Sequence, residues 1–400
     1  MTDSDNALHN ALAEADFALD EMPGDMLHDL LRGYRERGPV EPTQFLGMPC
    51  FVIAEHDALS EAFSDNHAFP GHRMYEHSFE PAIGKSFISN PDPADHLRTR
   101  RLATPAFRSR AITSYEKSGL AALANELVDE LASQDEFDLV SQFTSRFPYL
   151  VITRLLGLPR EREDEFHDWA LALLSFRDDP ERALEARDAL SEFLAPIVEE
   201  RRRDPRNDVI SELVHAEVEG RRLTDDEIFS HIRLLFPTGG ETTHGSLGNL
   251  LYALLTRDGQ WERLVRDPTR IDAAVLEGLR WETPIAVLPR ISRSEPIEFR
   301  GTKIPADSWV LFAVAGANRD PKVFANPDRF DPERGQPANL VFGRGPKSCP
   351  GSHLAKKNMS VAIEVLTRRL PDLELVDPAA AVPKRTVLRC PDALRVRRTG

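Results

Sequence analysis

Cysteine is scarce in this chain, and that scarcity excludes a fold held together by disulfides. Cys50, Cys349 and Cys390 are the only three cysteines among 400 residues, too few and too scattered for a bridged framework, and a reducing compartment follows. Long apolar runs are missing too: no stretch of about eighteen apolar residues occurs, so no membrane anchor is expected. The N-terminus, Met1 to Asp16, mixes acids with Asn and His and lacks the basic, apolar, small-residue order of a leader. Positive charge is in deficit. A formal net charge of −15 repels nucleic acid and anionic lipid at long range, which argues against both as partners. Internal repeats and low-complexity tracts are absent. There is no Gly-x-Gly-x-x-Gly after a strand, so no flavin or nicotinamide module is expected within the chain. What remains is a soluble, cytoplasmic protein long enough to bury a large core.

What is present centres on one loop, Phe342-Gly343-Arg344-Gly345-Pro346-Lys347-Ser348-Cys349-Pro350-Gly351. Its glycines let the backbone pass close beneath a flat, bulky group, and the loop delivers Cys349 just before an amphipathic helix. Backbone amides and the positive helix end favour a thiolate there, which makes Cys349 a candidate metal ligand. One cysteine without a local partner suits haem, whose iron needs one axial ligand, better than zinc, which needs three or four. The plainer alternative is a buried structural thiol in a tight turn.

These residues resemble the cysteine-ligand signature of the cytochrome P450 haem-thiolate monooxygenases, Phe-Gly-x-Gly-x-His-x-Cys-x-Gly, at every fixed position but one. Lys347 stands where histidine is common, and a cation there can still bond a haem propionate. The resemblance runs from about residue 50 onward. It implies a single domain over residues 1–400, with the first twenty or so as a mobile lead-in. The implied fold is mainly α with small β-sheets (α+β), the haem lying between a long kinked helix and the cysteine loop. The implied cofactor is haem b, with Cys349 as axial ligand and Phe342, Gly343, Lys347 and Gly351 around it.

Upstream, Met26 to Arg37 reads as a helix ended by Gly38-Pro39. Cys50 to Ala54 reads as a short buried strand, with Cys50 a packed core thiol. Ala68 to Ser89 shows no clear period and reads as an irregular loop whose Phe69, Met74, Phe79, Phe87 and Ile88 can point inward. The resemblance places the cover of the substrate pocket here. Asp95 to Arg101 begins a helix with His96 and Arg100 on one face. Such paired donors suit a buried dicarboxylate, and the resemblance assigns them, with Arg290, to the haem propionates. Residues 115–200 read as helical throughout, running through Phe176 to a break at Asp178-Asp179-Pro180, and Arg201 to Pro205 reads as a surface turn.

Thr224-Asp225-Asp226-Glu227 is a capping box that opens a long helix. Ile228, Ile232 and Leu235 mark one face, which Leu247, Leu250, Leu251 and Leu254 resume. Its middle, Pro237-Thr238-Gly239-Gly240-Glu241-Thr242-Thr243, holds residues a buried helix avoids. Local widening could admit water or dioxygen there; alternatively the hydroxyls bond back to the i−4 carbonyls. The resemblance maps an acid and alcohol pair onto Glu241 and Thr242, which implies proton delivery.

Glu277 and Arg280 match the family's Glu-x-x-Arg, and Arg334 is the implied third member of a structural triad. Thr283 to Arg290 leaves the helix extended, so Ile285 and Val287 can line the pocket from the side. Together with Phe69, Phe79, Phe87, Phe176, Leu235 and Gly239 they form an apolar candidate lining. Cys390, where relatives often carry glycine, puts the far wall in doubt. Arg334, Arg344, Lys347, Lys356 and Lys357 form a cationic cluster that could dock an acidic electron donor. The implied activity is insertion of one oxygen atom of O2 into a hydrophobic small molecule, with electrons from a ferredoxin and its reductase. A haem-thiolate isomerase, dehydratase or peroxide-driven enzyme, or a haem sensor, are the alternatives.

Overall fold

The computed structural model describes residues 15–104, 119–335 and 339–399. The predicted lead-in lies outside them up to residue 14, but its remainder is anchored rather than loose. Phe17 is buried, and the Asp16 carboxylate accepts from the amides of Ala18, Leu46 and Gly47.

Helices dominate, and the helix Asp225–Thr256 runs through the middle of them. At 1.5 Å per residue its 32 residues span roughly 48 Å. The capping box is present in full: Glu227 N donates to Thr224 Oγ1, and Thr224 N donates to the Glu227 carboxylate. The helix packs against Phe147–Leu156, Glu163–Leu174, Ile271–Trp281 and Ser352–Arg369. Helical geometry continues through Pro237. The hydroxyls of Thr238, Thr242 and Ser246 donate to the carbonyls of Leu234, Thr238 and Thr242, at 2.5, 2.6 and 2.7 Å. The interruption expected from composition is therefore absorbed by i−4 back-bonding, while packing on all sides holds the helix together.

Among the described residues there are four small sheets, two of them two-stranded. A four-stranded sheet is ordered Glu41–Phe45, Met48–Ile53, Trp309–Phe312, Leu288–Ile291, with its central pair parallel and its outer pairs antiparallel. A three-stranded antiparallel sheet joins Leu373–Leu375, Arg395–Arg398 and Glu136–Asp138. That last strand, and a π-helical turn at Val140–Thr144, correct the expectation of unbroken helix over 115–200; its first four residues lie outside the described set. Ala68 to Ser89 is likewise not irregular, since it contains helices Gly71–Ser78 and Glu80–Ile83. Arg201 to Arg203 is the last turn of helix Pro180–Arg203. Arg201 is buried there, its Nε donating to Asp208 at 2.6 Å, so a buried ion pair replaces the predicted surface turn.

Glu277 sits 4% exposed and receives both arginines predicted for it. Arg280 binds it through two nitrogens at 2.7 and 2.8 Å, and Arg334 Nε lies 3.1 Å from each carboxylate oxygen. The remaining guanidinium protons go to the carbonyls of Asn318, Ala325, Asn326, Pro327 and Arg329, fastening the segment that leads into the cysteine loop. A second such knot escaped the sequence reading. Glu282, also buried, accepts from His28 at 3.0 Å and from Arg389 at 2.6 Å, with Arg319 at 3.7 Å. It ties the N-terminal helix Asp25–Arg37 to the C-terminal segment.

Candidate active site

The cysteine loop is built on two glycines in the left-handed region, Gly343 at φ 66° and Gly345 at φ 71°. A side chain at Gly345 would meet the backbone of Phe63 and Ser64 at 3.1 and 3.2 Å, so the position demands glycine twice over. Cys349 N donates to Phe342 O at 2.8 Å, which closes the loop and presents the sulfur. Sγ opens onto a cavity of about 380 Å³ between the loop and the long helix. Gly351, at φ −83°, needs no special backbone, but a Cβ there would point at Sγ from 3.8 Å.

Burial pushes the Cys349 thiol up, and the amides of Gly351 and Ser352 and the Arg100 charge offset this only in part. The amides favour the anion as the sequence reading expected, and the charge of a coordinated metal would add to them against burial.

Beside the loop, cations gather without an acid to answer them. Lys347 and Arg290 line the cavity, and Arg100 donates from Nη2 to Ser348 O at 2.6 Å while its buried Nη1 finds no partner. Among the described residues no carboxylate pairs with any of the three. Burial and the neighbouring arginines pull Lys347 down to about 8, and burial alone takes Arg290 to about 10. Buried cations without counter-charge are costly, so this cluster is suited to an anionic group carried by a ligand. His96 differs from expectation. Its Nδ1 lies 2.7 Å from Phe87 O and 3.0 Å from Lys347 Nζ, and its Nε2 lies 3.0 Å from Pro346 O, so it braces the loop and, as a neutral ring, donates to only one of the two carbonyls. His231 holds the other side of Phe87, accepting from its amide at 3.2 Å.

The cavity's apolar wall includes Met74, Phe79, Phe87, Ile88, Leu235, Gly239, Ile285, Leu288 and, on the loop side, Phe342 and Gly343. Three predicted lining residues lie elsewhere. Phe69 packs edge-on against Phe299 and Phe312 beside the four-stranded sheet. Val287 is buried in the cluster beneath that sheet. Phe176 packs against the main core without reaching the cavity. Ala286 joins Val287 in that cluster while Ile285 and Leu288 line the cavity, so the segment bends and does not keep the alternation of a regular strand. Cys390 is not on the wall either; it lies behind the long helix, 3.7 Å from His244 Nε2.

The acid and alcohol pair is split in this structure. Thr242 lines the cavity, but its hydroxyl is spent on Thr238 O. Glu241 lies on the outer flank, where Oε1 accepts from Tyr149 Oη at 2.9 Å and faces His167 Nε2 at 3.8 Å. Tyr149, His167 and Ser246 were missed by the sequence reading, whereas the back-bonding of Thr238 and Thr242 is the alternative it offered. Ser246 was visible as the third of three hydroxyl residues four apart; nothing local marked the other two. The cationic cluster is also thinner than predicted, because Arg334 is committed to Glu277 and Lys347 lies against the cavity.

The chain's similarity to known proteins agrees with this geometry. A family model described as cytochrome P450 matches residues 17–169 and 269–374. Steroid C26-monooxygenase of Mycobacterium tuberculosis is 34% identical over 312 residues, covering 76% of this chain and 83% of that protein. 6-Deoxyerythronolide B hydroxylase of Saccharopolyspora erythraea is 33% identical over 403 residues, covering 95% and 99%. Among solved structures, cytochrome P450 CYP109Q5 from Chondromyces apiculatus superposes with a TM-score of 0.87 at 29% identity, covering 97% of this chain and 99% of that one.

Proposed function

The chain belongs to the cytochrome P450 family, a haem-iron monooxygenase acting on a hydrophobic small molecule, and on that premise we propose how its residues divide the work. The cofactor we infer is haem b: Cys349 would ligate its iron, and Arg100, Arg290 and Lys347 would hold its carboxylates. The observation that carries this is the cavity edge where the half-buried cations Arg100, Arg290 and Lys347 collect beside Cys349 with no acid among the described residues to neutralise them. When bound, the haem iron supplies dioxygen activation, to which an axial thiolate contributes electron density. The chain's residues do the rest. Phe79, Leu235 and Ile285 exclude water and present the substrate's carbon skeleton to the centre of the cavity. Thr238 and Thr242 donate their hydroxyl protons to the carbonyls of Leu234 and Thr238, so Thr242 would have to break that bond before it could pass a proton into the cavity.

The overall reaction, RH + O2 + 2 e⁻ + 2 H⁺ → ROH + H2O, needs two protons inside a largely apolar cavity. Glu241 and Thr242 are the groups we assign to deliver them. We propose that the electrons arrive from a separate ferredoxin and its reductase. The three free cysteines fit a cytoplasmic location. Among the described residues no helix is long and apolar enough to cross a membrane. Steroids, terpenoids, fatty acids and apolar aromatics are the substrate classes the apolar wall suits, and the name of the steroid C26-monooxygenase relative makes the first the place to begin.

The test is isotopic. With ferredoxin, reductase, reduced nicotinamide and ¹⁸O2, a substrate drawn from these classes should gain one ¹⁸O atom per nicotinamide consumed. Product formed without label from O2, or only with added peroxide, would replace the monooxygenase reading by that of a peroxide-driven or isomerising haem protein.

A further inference from the structure

Glu241 is held on the wrong side of its helix for the role just assigned to it, and what holds it there is a built seat. Gly240 makes the seat possible: a Cβ at that position would lie 2.4 Å from Tyr149 Cζ, so only glycine lets the tyrosine ring lie flat against the helix. The other face of the ring meets the His167 imidazole, with centroids 4.3 Å apart. Tyr149 Oη then donates to Glu241 Oε1 at 2.9 Å, and His167 Nε2 stands 3.8 Å from the same oxygen. The Glu241 side chain is 13% exposed and His167 is 28% exposed, so the histidine is the seat's side toward solvent.

We propose that Tyr149 and His167 form a proton-loading seat for Glu241, in which His167 passes a solvent proton to the carboxylate and so releases it toward Thr242 and the cavity. This deepens the relay reading above and rests on it.

The step balances simply: imidazolium gives its Nε2 proton, directly after a small rotation or through one water, to Oε1. Neutral imidazole and a carboxylic acid result, and solvent reprotonates the ring. Electrostatics make movement and loading one event. Burial would raise the Glu241 pKa, but His167, His244 and Tyr149 together hold it below the ordinary carboxylate value, so the seated group is an anion. A carboxylate leaving these partners for an apolar cavity would carry an unpaired charge, whereas the acid pays far less for desolvation. The other groups facing the seat do not compete for the role. His244 spends Nδ1 on Thr144 at 3.0 Å and turns Nε2 to Cys390, whose sulfur in turn accepts from Arg385. Both are buried, so neither histidine nor thiol at that end reaches solvent.

The experiment compares holoenzyme variants Tyr149→Phe, His167→Gln and Glu241→Gln. For each, the fraction of electrons lost as hydrogen peroxide and the solvent isotope effect on turnover are measured. The infrared carboxyl band of Glu241 is recorded in the resting protein, identified by its loss in Glu241→Gln. His167→Gln is expected to slow turnover on the order of tenfold or more, with more peroxide and a larger isotope effect. Wild type should show no protonated Glu241 band at neutral pH, and Tyr149→Phe should reveal one at a higher pH than wild type does. If Glu241→Gln disturbs peroxide release while His167→Gln and Tyr149→Phe leave it at the wild-type level, the seat is not on the route and this proposal falls alone. If Glu241→Gln itself changes nothing, the relay reading fails first.

Discussion

Arg290 shows how much a single side chain can say about a missing partner. It reaches the cavity beside Lys347, its guanidinium bonding, among the described residues, only its own neighbour's carbonyl, Pro289 O at 3.2 Å, and lying 5.6 Å from the Phe312 ring. Arg290→Leu should speed haem loss to a scavenger apoprotein on the order of tenfold, the worth of one charge-assisted hydrogen bond. An unchanged rate would remove Arg290 from the cofactor's supports. Gly240 makes an independent prediction, about packing. Gly240→Ala should cost about 1–3 kcal/mol in urea unfolding, because the new methyl meets the Tyr149 ring. In a Tyr149→Leu background most of that cost should vanish; equal costs in both backgrounds would mean that the clash lies elsewhere. The sequence displayed Cys349, the loop glycines and the cations plainly, since their types and spacing are themselves the signal. It could not display Tyr149 or His167, which come from helices 92 and 74 positions before Glu241 and carry no motif of their own.

At the scale of elements, the strongest local signals proved reliable and the weakest were overruled by packing. The capping box marked the start of the long helix at Asp225 because its hydrogen bonds are local. Pro237 and two glycines argued for a distorted turn in the long helix, and helical geometry runs through them, since burial outweighs a propensity deficit of a few kcal/mol. Helices Gly71–Ser78 and Glu80–Ile83 were illegible because each is too short to repeat an apolar period. The Glu282 knot joins three segments far apart in the chain, so no sequence window contains it. Burial would raise the Glu282 pKa, yet Arg389, His28 and Arg319 hold it far below its ordinary 4.5. A depressed carboxylate pKa means stability that is fully present above about 4.5 and drains away as pH falls toward the folded value. Glu282→Gln should therefore cost about 3–5 kcal/mol at neutral pH, leaving buried arginines unpaired. The gap from wild type should narrow in acid. Urea titrations at a series of pH values would show this, and a gap that stayed constant would deny Glu282 its charge-pairing role.

For the whole molecule, the arrangement is one of two supports and a space between them. The sheet strand Leu288–Ile291 and the helix Pro93–Ala103 bring cations from distant parts of the chain to one edge of the cavity, the cysteine loop closes one face, and the long helix closes the other. Everything in this account depends on Cys349 being the metal's ligand as a thiolate, although burial favours the thiol. The decisive measurement is the absorbance difference between ferrous and ferrous–CO protein, for wild type and for Cys349→Ser. A strongly red-shifted Soret band in wild type, lost in the serine variant, is the predicted result. A CO complex of folded, freshly purified wild type without that shift would mean a neutral or absent sulfur ligand, and would contradict the assignment at its centre.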